Sequence, residues 1–141
     1  MFSGKSTELV RKAERFKHIH YHVCYVNSMK DTRSEQAYGH YKGVRLGKIT
    51  NHNKHSIDCF MCQDLGELFI LIDEFDVFAV DECQFFDDLN MITKLVNEHK
   101  KKVIVSGLDG DSNRNEFGNI LKLVPQCDTI TKLHALCFLC K

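Results

Sequence analysis

The chain has 141 residues, 43% hydrophobic and 27% charged, with one proline and eight glycines, a composition that excludes disordered, collagen-like and low-complexity proteins. That length suits one domain with a sizeable core and leaves little room for two. Nineteen Lys and Arg against nineteen Asp and Glu give a formal charge of zero, which removes any long-range field for nucleic acid or an anionic membrane.

No apolar run approaches the ~20 residues of a membrane span, and the N-terminus lacks the basic-then-apolar build of a signal peptide, so a cytoplasmic address is expected. Seven cysteines in such a chain are expected as thiols and metal ligands, not as a disulfide framework. The basic clusters, Arg11, Lys12, Arg15 and Lys17 and then Lys100 to Lys102, read as solvated helix faces and a turn.

In chain order, Ser6 to Lys17 places Leu9, Val10, Ala13 and Phe16 on one stripe, which predicts an amphipathic helix opening directly after Gly4. Tyr21 to Val26 reads as a strand. From Met29 to about Cys62 the chain is polar and glycine-dotted, and reads as a flap or long insertion in which only Tyr41 to Ile49 resembles a hairpin. Gln63 to Ile72 predicts a short helix, and Val77-Phe78-Ala79-Val80 a parallel strand buried on both faces.

Asp87 or Asp88 is placed to cap a helix whose face carries Leu89, Ile92, Leu95, Val96 and His99, with Lys100 to Lys102 complementing its C-terminal dipole. Val103-Ile104-Val105 is another buried strand; Phe117, Ile120, Leu121 and Val124 form a last short helix stopped by Pro125; Thr129 to Leu136 is a final strand candidate. The alternation predicts an α/β domain with a mostly parallel sheet, whose chemistry gathers at the carboxyl ends of the strands.

Three pieces can carry that chemistry. Gly4-Lys5-Ser6-Thr7 entering a helix offers unpaired amides and a helix dipole to a phosphate, a point charge from Lys5 and a Ser6 hydroxyl for magnesium. It is the second half of the loop pattern G-x-x-x-x-G-K-[ST], whose first glycine would precede Met1. Asp81-Glu82 closes an apolar strand, as the magnesium-side partner of such a loop does, and the two carboxylates point opposite ways and can divide the work between metal and hydroxyl. Cys137-x-x-Cys140 is a zinc knuckle with two of the four ligands that structural zinc needs. A second C-x-x-C at Cys59 and Cys62 reads as buried free thiols, Cys83 as a core thiol, and the alternate His18, His20 and His22 as surface polarity.

Taken in order, Met1 to Leu9, Asp31-Thr32-Arg33, Asp81-Glu82-Cys83-Gln84-Phe85-Phe86, Gly107-Leu108-Asp109-Gly110 and Cys137-x-x-Cys140 make the sequence resemble the type II, zinc-containing thymidine kinases of the cellular and poxvirus kind. The resemblance covers most of the chain apart from a stretch between about Ser34 and Cys62 that looks longer than usual. It implies a P-loop nucleoside kinase, a mostly parallel sheet flanked by helices, over residues 1–136, with 137–141 beginning a small C-terminal zinc subdomain.

The activity implied is transfer of the ATP γ-phosphoryl group to the 5′-hydroxyl of thymidine, giving dTMP for salvage of DNA precursors. Glu82 would be the general base and Arg33 a catalytic cation. Ser3, Gly4, Lys5, Ser6, Thr7 and Asp81 would hold ATP and Mg²⁺, with Ser6 as the magnesium ligand. Met1, Asp31, Phe85, Leu108 and Phe117 would line the thymidine site, and Cys137 and Cys140 would begin a structural zinc site. Thymidine and ATP as partners, dTTP as feedback inhibitor, and a homotetramer or homodimer belong to the same implication, without nucleic acid or membrane.

Against the family pattern, the first strand and Gly-Pro before Met1 are absent, Ser112 stands where an aromatic residue is frequent, and the lasso with the second cysteine pair would begin beyond Lys141. A fragment of a longer kinase is therefore expected. Two other readings of the motifs are another P-loop nucleoside or nucleotide kinase, and a non-catalytic zinc-binding module built on both C-x-x-C pairs.

Overall fold

The computed structural model describes residues 3–31, 35–50 and 56–135, and of Glu35 and Gln36 the backbone alone. Six strands form one sheet in the order β2-β3-β4-β1-β5-β6. Its parallel half contains β4 (Ser56–Cys62), β1 (Val23–Ser28), β5 (Val77–Val80) and β6 (Lys102–Val105). An antiparallel extension adds β3 (Val44–Thr50) and β2 (Glu35–Tyr41).

Period-two alternation along these strands sorts the core onto two faces. On one face Cys24, Val26, Phe60, Cys62, Phe78 and Val80 are buried beneath a 3₁₀ turn, Leu65–Leu71, and helix α2, Asn90–Asn97. The turn contributes Leu65, Leu68 and Leu71, and α2 contributes Ile92 and Leu95. On the other face Tyr25, Cys59, Met61 and Ala79 pack against Leu9 and Ala13 of helix α1, Lys5–Lys17. Because both faces are covered, β5 is buried along its whole length, as its unbroken apolar run predicts. No described helix is long and apolar enough to cross a membrane.

The first strand runs later than the sequence predicts, over Val23–Ser28 and not Tyr21 to Val26. Tyr21 stacks instead on Phe16, with ring centroids 5.9 Å apart. The polar Asn27 and Ser28 stay in the strand although buried, since the Asn27 side-chain oxygen accepts the Ser28 amide at 2.8 Å and the Asn27 side-chain nitrogen donates to Asp31 at 3.2 Å.

The expected flap between Met29 and Cys62 is largely sheet. Lys42 and Gly43, with φ of 50° and 86°, make the two-residue turn that joins β2 to β3, and two positive φ values are what a tight hairpin's twist demands. Ser56 to Cys62 then returns as β4, which pairs in parallel with β1 and occupies the middle of the sheet. The hairpin tip is tied down at Glu74, whose carboxylate accepts the Tyr41 hydroxyl at 2.6 Å and pairs with Lys42.

Neither Asp87 nor Asp88 caps α2 through its side chain. Asp88 turns to the 3₁₀ segment 65–71 and accepts the amides of Leu65 at 3.1 Å and Gly66 at 2.9 Å, while Asp87 faces Lys30 at 3.3 Å. His99 meets Phe69 edge-on at 5.3 Å, and Lys100 donates to the Asn97 carbonyl oxygen at 2.6 Å, so one of the three lysines complements the helix end as expected. The last helix is a 3₁₀ segment, Ile120–Gln126, that includes Pro125. Residues 129–135 form no strand: Ile130 is exposed, and side chains replace a ladder, with Lys12 donating to Thr131 at 3.2 Å and Lys132 pairing with Asp109. Leu136 lies outside the described residues.

Candidate active site

Strand β5 delivers Asp81 and Glu82 to its carboxyl end, and β6 delivers Ser106, Gly107 and Leu108 beside them, because Val80 and Val105 are paired in register. Helix α1 lies against the opposite face from α2 and starts at the same end. Gly4 immediately before it is left-handed, φ 76° and ψ 18°, with open space where a Cβ would stand. The first amides of α1, which have no partner within the helix, lie next to this exposed glycine, an arrangement suited to an anion.

These two elements approach each other at one point: the Ser6 side chain of α1 lies beside the Asp81 carboxylate. The same carboxylate accepts the Ser106 hydroxyl at 2.8 Å and the Glu82 amide at 3.0 Å. Asp81 is almost wholly buried, and burial pushes its carboxyl above the ordinary range although these polar neighbours pull the other way. A buried carboxylate beside two hydroxyls is a set of hard oxygen donors, and a divalent cation would supply positive charge that no described side chain brings to Asp81 in a salt bridge.

Glu82 departs from the strand with φ 48° and ψ 41°, a left-handed conformation that costs a non-glycine residue about 1 kcal/mol. Bonds on both sides hold it there: its amide reaches Asp81, and the next amide, of Cys83, donates to the Ser106 carbonyl oxygen at 2.8 Å. The Glu82 carboxylate accepts the Gln84 amide group at 2.6 Å.

Nearby, Phe85 and Phe117 meet edge-on with centroids 5.7 Å apart, and Leu108 is half-buried with its amide on the Gln84 side-chain oxygen at 2.9 Å. Lys30, in the turn after β1, donates to the Phe85 carbonyl oxygen at 3.1 Å. Asp31 follows the end of β1, half-buried and bonded to Asn27. Of the residues expected at the site, the structure brings together Ser6 with Asp81 and Glu82, and Phe85 with Phe117. Ser3, Gly4, Lys5 and Thr7 lie in or just before the first turn of α1. Met1, Arg33, Cys137 and Cys140 lie outside the described residues.

Sequence reasoning missed Ser106, Gln84 and Lys30. Ser106 had a signal: it follows Val105 as Asp81 follows Val80, so once the strands pair the two residues must be neighbours. Cys83 is buried and its thiol is pushed up to about 12 by desolvation, which fits a core thiol and not a nucleophile. Cys59 and Cys62 are three residues apart on one strand and face opposite sides of the sheet, so that pair cannot close on one ion and the zinc-module reading loses half its ligands. Among the described residues no three His, Cys, Asp or Glu side chains cluster as a metal site.

A family model described as thymidine kinase matches residues 1–141. The chain belongs to the thymidine kinase family. Thymidine kinase of sheeppox virus is 34% identical over 140 residues, covering 99% of this chain and 73% of that protein. Thymidine kinase 1 of Dictyostelium discoideum is 32% identical over 140 residues, and the rice thymidine kinase 35% over 147. The chain spans 59% and 51% of those two proteins. Within the thymidine kinase frame, the Ser6–Asp81 contact joins two motifs that lie 75 residues apart in the sequence.

Proposed function

We propose that this chain phosphorylates thymidine, moving the γ-phosphoryl group of ATP to the 5′-hydroxyl to give dTMP and ADP. The observation that supports the reading is the approach of Ser6 to Asp81, with Glu82 next in the chain, since a helix start suited to phosphate, a metal-side acid and a second carboxylate would then serve one site. Family membership supplies the acceptor. Phosphoryl transfer asks for positioning and charge stabilisation more than covalent work from the protein.

In this reading the amides at the start of α1 and the Lys5 ammonium hold the phosphates, and Ser6 and Asp81 are the donors for Mg²⁺, which when bound neutralises charge on the phosphates. Glu82 takes the proton of the 5′-hydroxyl as that oxygen bonds to the γ-phosphorus and the bond to the β-phosphate oxygen breaks. Arg33 adds positive charge to the transferring group. Asp31 orients the nucleoside, and Met1, Phe85, Leu108 and Phe117 present apolar surface to a planar, methyl-bearing base. Cys137 and Cys140 begin a structural zinc site that takes no part in the chemistry. Feedback by dTTP and a homo-oligomeric assembly belong to the same proposal, supported by likeness to the family.

The test is steady-state phosphorylation of thymidine, deoxycytidine and dTMP by the purified protein, with Glu82→Gln as the variant. Thymidine is expected to give the highest kcat/KM, and Glu82→Gln to lower kcat by roughly 10²–10⁴-fold while the KM for ATP stays near the wild-type value. Faster turnover of deoxycytidine or of the monophosphate would move the assignment to another P-loop kinase. Full activity in Glu82→Gln would remove Glu82 as the base.

A further inference from the structure

Gln84 is a buried polar side chain to which the functional reading above gives no task, yet both ends of its carboxamide are engaged. Its nitrogen donates to Glu82 Oε2 at 2.6 Å, and its oxygen accepts the Leu108 amide at 2.9 Å. Only 3% of the residue is exposed, so no water competes for either bond. The fit around it is close. A Cβ on Gly107 would lie 2.7 Å from the Gln84 side-chain oxygen, and one on Gly118, φ 63°, would lie 2.1 Å from its backbone carbonyl oxygen. Backbone from two other segments, one carrying Leu108 and the other following Phe117, therefore grips Gln84 from both sides.

We propose that Gln84 is a positioning residue: it fixes the Glu82 carboxylate towards the acceptor hydroxyl and ties that orientation to the Leu108 and Phe117 wall of the nucleoside pocket. The inference rests on Glu82 acting as the base. A misplacement of the base by about 1 Å is enough to cost a large factor in rate. A short bond from a side chain that is itself held at both ends helps to set the carboxylate's orientation. The amide group suits the task because a single planar group can donate to the carboxylate and accept from the pocket wall at once.

The experiment compares Gln84→Met, which loses both bonds, with Gln84→Glu, which keeps an acceptor for Leu108 and loses the donor to Glu82. Each is made in the wild-type protein and in a Glu82→Asp background, whose shorter carboxylate is withdrawn from residue 84. In the wild-type background both variants are expected to lose roughly 10- to 100-fold in kcat with thymidine at an unchanged KM for ATP. In the Glu82→Asp background the further loss should shrink to within about threefold, because the two residues act through one contact. A merely structural role would give equal losses in both backgrounds, and that result would overturn the proposal. So would kcat within about twofold of wild type in Gln84→Glu, the near-isosteric change that keeps the test open where Gln84→Met fails to fold. A wild-type protein that left thymidine unphosphorylated would instead overturn the kinase reading, so the two failures are separate.

Discussion

Asp81 shows at the scale of one residue how function and stability pull apart. Burial raises its carboxyl above the ordinary range, so the folded protein holds this proton to higher pH than the unfolded chain does. The sign follows: the contribution of Asp81 to stability is fully present below the unfolded carboxyl's range and is lost as pH rises through the folded value. At neutral pH, without a cation, the buried charge is a burden. Asp81→Asn keeps an acceptor for the Ser106 hydroxyl and the Glu82 amide, and offers a donor towards Ser6. The variant is expected to be more stable than wild type at pH 7.5 by roughly 0.5–2 kcal/mol, and to lose roughly 100-fold or more in turnover with Mg·ATP. Denaturant unfolding from pH 4 to 8 checks it, since the gain should shrink as pH falls. A gain that grew in acid would show that Asp81 is not the titrating group.

Elements in this fold are held by side chains from distant segments, and that is where the sequence was least legible. The run Val77 to Val80 could be read directly, because burial on both faces leaves a strand no polar alternative. Strand β4 could not, since Cys59 and Cys62, though read as buried thiols, fall in the expected flap until pairing with β1 shows a central strand. Gly39 suggested a loop, but it sits within strand β2. Asp88 is the plainest case: next to a helix start it reads as that helix's cap, yet its carboxylate satisfies the amides of Leu65 and Gly66, more than twenty residues away. The 3₁₀ turn it caps lays Leu65, Leu68 and Leu71, all fully buried, over the sheet. Asp88→Ala is expected to cost about 1 kcal/mol in denaturant unfolding, and Asp88→Asn distinctly less because its side-chain oxygen can still accept. Equal losses would mean that charge, and not capping, is what Asp88 supplies.

For the molecule as a whole, two opposed faces of one sheet decide which cysteines can act together. Motif order in the sequence already indicated the site, because Gly4-Lys5-Ser6 and Asp81-Glu82 each sit at an element boundary and a parallel sheet brings such boundaries to one edge. The brace of Gln84 by Gly107 and Gly118 was invisible, since it depends on how closely three separate segments approach. The thiols follow the same logic of faces. Cys59 is buried with α1 on one side, where burial pushes it up to about 12, and Cys62 is buried on the other with its thiol held well above the ordinary value. Zinc binds thiolates, so protonated sulfurs separated by a sheet are poor ligands even one at a time. Cys59→Ser should therefore leave the zinc content after dialysis equal to wild type, while Cys137→Ser lowers it, as read by metal analysis of the purified proteins. Matching zinc loss in the two variants would make Cys59 a zinc ligand and overturn this assignment.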